Sequence, residues 1–296
     1  EAVTPPQTEI VEHAVGLLHN LGAVTDESGA QLTPLGEKLA KLQVHPMLGK
    51  MLLLAGLFRC FKPIMTICAS LGYKSPFLCP MGKEKEANDA KRYLADESKS
   101  DLVALANAYD GWCQGKSRFA NQYFLSHQTM DYIHRLRQDL QGGAKDVLAS
   151  VPEDHSDPLY LADVCRAVLV AGLFPNLAWI RKFGKGHTMQ GLKVCVHPGS
   201  VNSRESDAVV VFYDIQETTE RWLYDTSVVS MAPCLLFAPV LEELHRGQRV
   251  VFRVHSWYVA VDPEVADGLI ELRSLLADFV SRSVGQRPTD VHMAAT

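Results

Sequence analysis

Residues 32–58 read LTPLGEKLAKLQVHPMLGKMLLLAGLF. Thr33 followed by Pro34 pairs a capping hydroxyl with a proline at the first helical position, so a helix opens there. MLLLAGLF is apolar on every side, and a helix without a polar face belongs at the centre of a core. Leu42 and Leu52 are therefore expected to be buried. The longer run MLGKMLLLAGLF carries Lys50 and falls short of the roughly 18 apolar residues a membrane span needs, and no other run reaches that length.

Upstream, Thr4-Pro5-Pro6-Gln7 has the spacing of a capping box, which starts a helix whose apolar stripe is Ile10, Ala14, Leu17, Leu18 and Leu21. GAVTDESGAQL then places two short apolar stretches around a polar, glycine-containing turn, as a small hairpin does. Helix, hairpin and helix within residues 1–50 make a winged-helix type of unit. Such a unit either reads DNA or packs against neighbours, and the few basic residues here favour packing. EAVTPPQTEI shows neither the basic start nor the apolar stretch of a secretory signal.

Downstream, residues 51–145 read as a helical bundle. PIMTICASLGY follows Pro63, and KSPFLCPMG is a proline-bounded break. KEKEANDAKRYLADESKSD mixes charges as a solvated helical face does, and HQTMDYIHRLRQDL turns Met130, Ile133, Leu136 and Leu140 inward. GWCQGKS, at 111–117, ends like a phosphate-binding loop. A P-loop, however, needs a glycine where Asp110 stands, and it follows a strand, whereas DLVALANAYDGW has helical spacing. The segment is expected to be a helix ending in a polar turn, with no ATP site.

Residues 146–162 are polar, with glycines just before them and prolines within, and read as a connector. After a short helix in ADVCRAVLVAGLF the period changes. LAWIRK, GLKVCVH, AVVVFYDI, ERWLYDT, CLLFA and RVVFRVH are expected as strands of a small closed barrel spanning 163–262, with Val250, Phe252 and Val254 alternating against Arg249, Val251 and Arg253. A last helix over about 263–284 carries the stripe Val265, Leu269, Leu272, Leu276 and Phe279, ahead of a tail to 296.

The chain has 296 residues, 47% of them hydrophobic, and a net charge of −5, with residues 1–145 at +1 and 146–296 at −6. This balance excludes a strongly basic nucleic-acid glove, so any RNA or DNA contact is a local patch. Seven cysteines without a C-x-x-C pair argue against a disulfide framework or a zinc site, and for a reducing compartment inside the cell. The eleven histidines include no H-E-x-x-H, so no metal is expected. No Ser-His-Asp order, carboxylate pair or metal set supports an autonomous enzyme.

The stretch at 32–58 resembles the L-T-P-L-G-x-x-L-A-x-L-P-V-x-P-x-x-G-K-M-L-L signature of DEAH-type RNA helicases. PIMTICASL, KSPFLCP, NAYDGW, NQYFLSHQTMDYIHRLRQDL, AGLFPNLAWI, VHPGSVN and VFYDIQETTERWLYDTSVVSMAPCLLF are similar to further family segments, in the family's order. The KSPFLCP, KEKEA and KSD pattern resembles the branch containing maleless and RNA helicase A. The resemblance implies a multidomain α+β chain: a winged helix, an all-α ratchet domain, then a small β-barrel (OB-fold) with a C-terminal helix. It further implies two RecA-like lobes that hold ATP and Mg²⁺. The sequence contains no Walker A motif, no D-E-x-H and no Q-R-x-G-R-x-G-R, so this chain carries no catalytic or cofactor-binding residue of that kind. His45 stands where the family often has Asp, and Pro198 and Gly199 where it has basic residues.

As part of a helicase, the assembly would line a channel for single-stranded RNA, the barrel supplying charge along the backbone and platforms for bases. The candidate contacts are Arg181, Lys182, Lys185 and His187 in IRKFGKGH, for which a solvated strand end is the other reading. His197, Ser200 and Asn202 in VHPGSVN follow from the resemblance, that turn facing nucleic acid in relatives; Arg221 is a further candidate. The partners implied are single-stranded RNA, the RecA-like lobes, and protein activators or a ribonucleoprotein assembly, with no membrane. A catalytically silent scaffold in a ribonucleoprotein is the alternative.

Overall fold

The computed structural model describes residues 5–26, 31–148, 153–246 and 249–285. Helix α1 spans Thr8–Asn20 and starts later than its capping box predicts. Thr4 lies outside the described residues. Pro5, Pro6 and Gln7 are not helical, because a residue before proline is pushed out of the helical region. Ile10 is 59% exposed, and Leu21, at the helix end, is buried. Val24 and Leu32 form an antiparallel bridge, the paired part of the expected hairpin. Helix α2, Pro34–Leu39, opens as read: the Thr33 hydroxyl accepts from the Gly36 N–H at 3.1 Å and donates to the Gly22 carbonyl at 2.6 Å. A Cβ on Gly36 would stand 2.0 Å from the Ala23 carbonyl oxygen, so only glycine lets the bridge cross this helix.

The ratchet-like layer comprises α3 (Pro46–Leu57), α4 (Phe61–Leu71), α5 (Glu84–Ala95), α6 (Asp101–Gln122) and α7 (His127–Val147). His45 caps α3, its Nδ1 accepting from the Met47 N–H at 3.4 Å. A carboxylate would do the same work there, which accounts for the departure from Asp. Every residue of α3 from Met47 to Gly56 except Lys50 is buried. Helix α8 (Pro158–Leu173), capped by Asp157, packs so closely on α3 that a Cβ on Gly172 would meet Met51 Cγ at 2.0 Å. Its first turn occupies the end of the expected connector.

GWCQGKS is helical, with the chain breaking at Lys116 (φ 44°, ψ −128°) before α6 resumes for its last residues. Its glycines serve packing, because a Cβ on Gly111 would meet the Phe119 ring and one on Gly115 would meet Phe119 Cβ. Lys116 Nζ sits 3.9 Å from the centre of the Trp112 ring.

From α8 the chain passes through Phe174, Pro175 and Asn176 into β1 (Leu177–Lys182). This connector is tied at both ends. The Asn176 N–H donates to the Leu173 carbonyl at 2.8 Å, and the Phe212 N–H to the Asn176 carbonyl at 3.1 Å. There follow β2 (Lys185–Thr188), β3 (Lys193–Val196), β4 (Ala208–Val211), β5 (Asp214–Glu217), β6 (Arg221–Tyr224) and β7 (Ser227–Val229). The sheet runs β5-β6-β3-β2-β1-β4-β7, with β3 and β6 parallel. β4 pairs with β1, and β5, three residues further on, pairs with β6. The single stretch 208–217 thus runs from β4, next to the edge strand β7, to the opposite edge strand β5, so the sheet curls round on itself as a barrel does. Ala178, Ile180, Val194, Val196, Val210, Phe212 and Leu223 fill it.

Two expected strands fall elsewhere. CLLFA lies in helix α9 (Met231–Phe237), an apolar run too short for periodicity to separate helix from strand. RVVFRVH forms β9 (Arg249–Val254) of a separate three-stranded sheet with β8 (Glu242–Arg246) and β10 (Trp257–Val261). Val250, Phe252 and Val254 are buried as expected, and so is Val251. Helix α10 (Pro263–Gly285) turns Ala266, Leu269, Leu276, Val280 and Val284 inward. Val265, Leu272 and Phe279, expected to be on that face, are exposed, because α10 carries apolar residues on two adjacent faces and the smaller set gives the closer approach.

Candidate nucleic-acid interface and the joint beneath it

Arg181, Lys182 and Lys185 are all exposed and surround the turn between β1 and β2. That turn is Phe183-Gly184, both left-handed (φ 47° and 72°), as a two-residue hairpin between twisted strands requires. Glycine is required at 184, where a Cβ would stand 2.4 Å from the Ser203 carbonyl oxygen. The Phe183 N–H donates to Ser206 Oγ at 2.9 Å and the Gly184 N–H to the Glu205 carbonyl at 2.8 Å, fixing the tip on the loop before β4. The Phe183 ring is 68% exposed. Lys182 Nζ lies 5.4 Å from its centre.

On the outer face of the barrel the register sets Trp179, His187 and Lys193 side by side. Trp179 and Lys193 are exposed, and His187 Nδ1 is buried with no hydrogen-bond partner among the described residues. The result is a basic hairpin tip with an aromatic side chain at its end and a Trp-His-Lys row below it. Trp179, Phe183 and Lys193 were not among the sequence candidates. The signal for Trp179 and Lys193 was an aromatic and a basic residue at outward-alternating strand positions, whereas Phe183 lies in the turn. Arg221 pairs with Glu217 at 2.9 Å, so its charge is partly committed.

The VHPGSVN turn divides. His197 stacks on Tyr224 with centroids 4.4 Å apart, and its Nδ1 accepts from the Gly199 N–H at 3.1 Å. Burial and the nearby Lys91 lower its pKa against the pull of Asp101, so it offers a neutral ring at neutral pH. Ser200 and Asn202, expected as RNA contacts, have their side chains buried. The Ser200 hydroxyl donates to Asp101 at 2.6 Å, and Asn202 Nδ2 donates to the Lys99 and Thr226 carbonyls at 3.1 and 3.2 Å. Both hold the turn in place from inside.

Asp101, at the start of α6, is the centre of this joint. Fully buried, it takes Lys91 Nζ at 2.7 Å and the N–H groups of Val201 and Thr226 at 3.0 Å each. Desolvation would raise its pKa, but Lys91 and the hydrogen bonds from Lys91, Ser200 and Val201 outweigh it and hold the carboxyl below its ordinary range. A cavity of about 430 Å³ beside the joint is lined by Phe77, Asn88, Lys91, His197, Tyr224 and Asp225.

Asp225 is pushed up to about 6, by desolvation first and then by the charge of Asp101. An acid whose pKa is raised on folding opposes folding when ionised, a cost that fades as pH falls from about 6 toward its unfolded value near 4. Asp225 also has positive φ (53°), which asparagine tolerates. Asp225→Asn is therefore expected to stabilise the chain by roughly 1–2 kcal/mol at pH 7.5, with the advantage disappearing by about pH 4. Thermal melts of both proteins at the two pH values check this, and an advantage that does not change with pH would contradict it.

Comparison with known proteins agrees with this architecture. Family profiles match in order: a helicase associated domain (HA2), winged-helix, over residues 14–42; its ratchet-like counterpart over 45–105; and an oligonucleotide/oligosaccharide-binding (OB) fold over 165–241. The DExH-box ATP-dependent RNA helicase DExH1 of Arabidopsis thaliana is 32% identical over 309 aligned residues, covering 98% of this chain. The ATP-dependent DNA/RNA helicase DHX36 of Mus musculus is 33% identical over 93% of the chain, and the ATP-dependent RNA helicase DHX29 of Mus musculus 30% identical over 97%. The chain spans 30% of the length of the first two and 23% of the third. With the winged-helix, ratchet-like and OB elements present in that order, the chain belongs to the DExH/DEAH-box RNA helicase family and corresponds to its C-terminal region.

Proposed function

We propose that this chain is the accessory region of an ATP-dependent RNA helicase and holds single-stranded RNA on the outer face of its barrel. The observation that supports this is the basic, aromatic-tipped hairpin of Arg181, Lys182, Phe183 and Lys185 above the Trp179–His187–Lys193 row. Cationic groups track a phosphate backbone while exposed rings stack on bases of any identity, the combination that OB barrels use for single strands. His197 adds a neutral ring at the neighbouring turn. ATP and Mg²⁺ belong in this reading to RecA-like lobes that this sequence does not contain, and those lobes are the chain's intramolecular partners.

The acidic balance of residues 146–296 keeps the grip weak, because only a few phosphates are neutralised. Each lost phosphate contact lowers the slope of log K against log salt by roughly 0.7 for a single strand. Lys182→Ala with Lys185→Ala is expected to flatten the slope by about 1 to 1.5, while Lys83→Ala with Lys85→Ala, on the exposed start of α5, leaves it unchanged. Phe183→Ala should weaken binding at every salt concentration without changing the slope. Fluorescence anisotropy with a labelled oligouridylate across a salt series measures all three. Equal slopes for the two lysine pairs, or no binding at low salt, would favour the silent-scaffold reading.

A further inference from the structure

Lys50 is the one position of α3 between Met47 and Gly56 that is only half-buried, and it is also the one charge there. It lines a partly open cavity of about 360 Å³ bounded by α2, α3, α9 and α10, a volume in the range of small-molecule sites, about 300–1,000 Å³. The walls are apolar: Leu35, Leu54, Phe237, Leu276 and Val280. Among the described residues no carboxylate lines it, and Lys50 makes no hydrogen bond or ion pair with any of them.

The other polar groups at this cavity are already engaged, with one exception. The Thr33 hydroxyl donates to Gly22 and accepts from Gly36. Arg273 spends its guanidinium on the carbonyls of Leu235, Leu236, Ala238 and Pro239, closing the end of α9. Ser281, on α10, has a hydroxyl without a partner among the described residues. The cavity therefore presents one uncompensated ammonium, one spare hydroxyl and a long apolar wall.

We propose that this cavity binds a small amphipathic carboxylate, its anionic head on Lys50 and its apolar tail between α3 and α10. The match is chemical at both ends. An ammonium taken out of water without a counter-charge is costly, and a carboxylate with geometry to reach it supplies both charge and acceptor. Burial alone pushes the Lys50 pKa down to about 8, as expected for a lysine that lacks a partner. The tail would cover apolar side chains contributed by the winged-helix unit, the ratchet-like layer and the C-terminal helix together, so a bound ligand would join them. This inference does not depend on RNA binding.

Isothermal titration calorimetry of the whole chain with decanoate and with decanol tests it. Decanoate should bind saturably at one site and decanol at least tenfold more weakly, the apolar chain being the same length and only the charge differing. Lys50→Met, which keeps the side-chain length in an apolar setting, should weaken decanoate at least tenfold and leave decanol unchanged. Lys50→Arg should keep decanoate within about threefold. Ala277→Trp, which fills the cavity from α10, should abolish both. Decanoate binding undiminished in Lys50→Met, or no saturable binding of decanoate by the unaltered chain, would overturn the proposal; the latter result would leave the cavity to an acidic side chain of another protein segment.

Discussion

Leu52→Asp is expected to unfold the helical half of the chain at ambient temperature. Leu52 is 1% exposed on α3, the helix that packs on α4 and α8. An aspartate there would be buried among apolar side chains, and a charge buried without a partner costs several kcal/mol. That approaches the whole stability of a domain, about 5–15 kcal/mol. Far-UV circular dichroism should show the helical signal lost or its midpoint lowered by roughly 10 °C or more. Leu159→Asp, where the leucine is 80% exposed, is the control and should melt within about 2 °C of the parent. An unchanged melting curve for Leu52→Asp would mean that α3 is not the centre of the core.

Asp101→Ala should cost about 3–5 kcal/mol at pH 7, the range for deleting one partner of a buried ion pair. The loss is large because the carboxylate serves several donors at once: Lys91, Ser200, Val201 and Thr226 all lose it as an acceptor. Its pKa is held low in the folded state. The stabilisation is thus fully present above the unfolded value near 4 and is lost as pH falls through the lower folded value. The gap between mutant and parent should be complete at neutral pH and narrow under acid. Denaturant titrations at pH 7 and below pH 4 measure it. A gap under about 1 kcal/mol at pH 7, or one independent of pH, would remove Asp101 from the centre of the joint.

The helical half was legible because its information is local. Thr33-Pro34, an α3 that is apolar apart from Lys50, and the inward Met130 and Ile133 each declare themselves within a few residues. The joint was not legible for the opposite reason. Asp101, Ser200, Asn202 and Thr226 are brought together only by the fold, and buried polar residues leave no period in the sequence. Ser200 and Asn202 were read as ligand contacts from the resemblance of their turn, whereas the fold turns both side chains into the joint. CLLFA and the face of α10 were misread where composition allows two answers and packing against Arg273 and α2 selects one. The hairpin tip was half legible: its lysines stood out by charge, whereas the exposure of Phe183 depends on the left-handed turn that carries it.

The connector between α8 and β1 has a mechanical meaning. With Asn176 hydrogen-bonded to the last turn of α8 on one side and to the barrel on the other, it stores no slack, and Gly172 at its root is seated against Met51 in the deepest helix. A load applied to the barrel would pass through these hydrogen bonds and packed side chains into the helical core. The Asp101 joint braces the same two bodies through a second strut. Barrel and helices are thus braced against each other at two separate places, and loosening either one alone would leave the other to hold their arrangement.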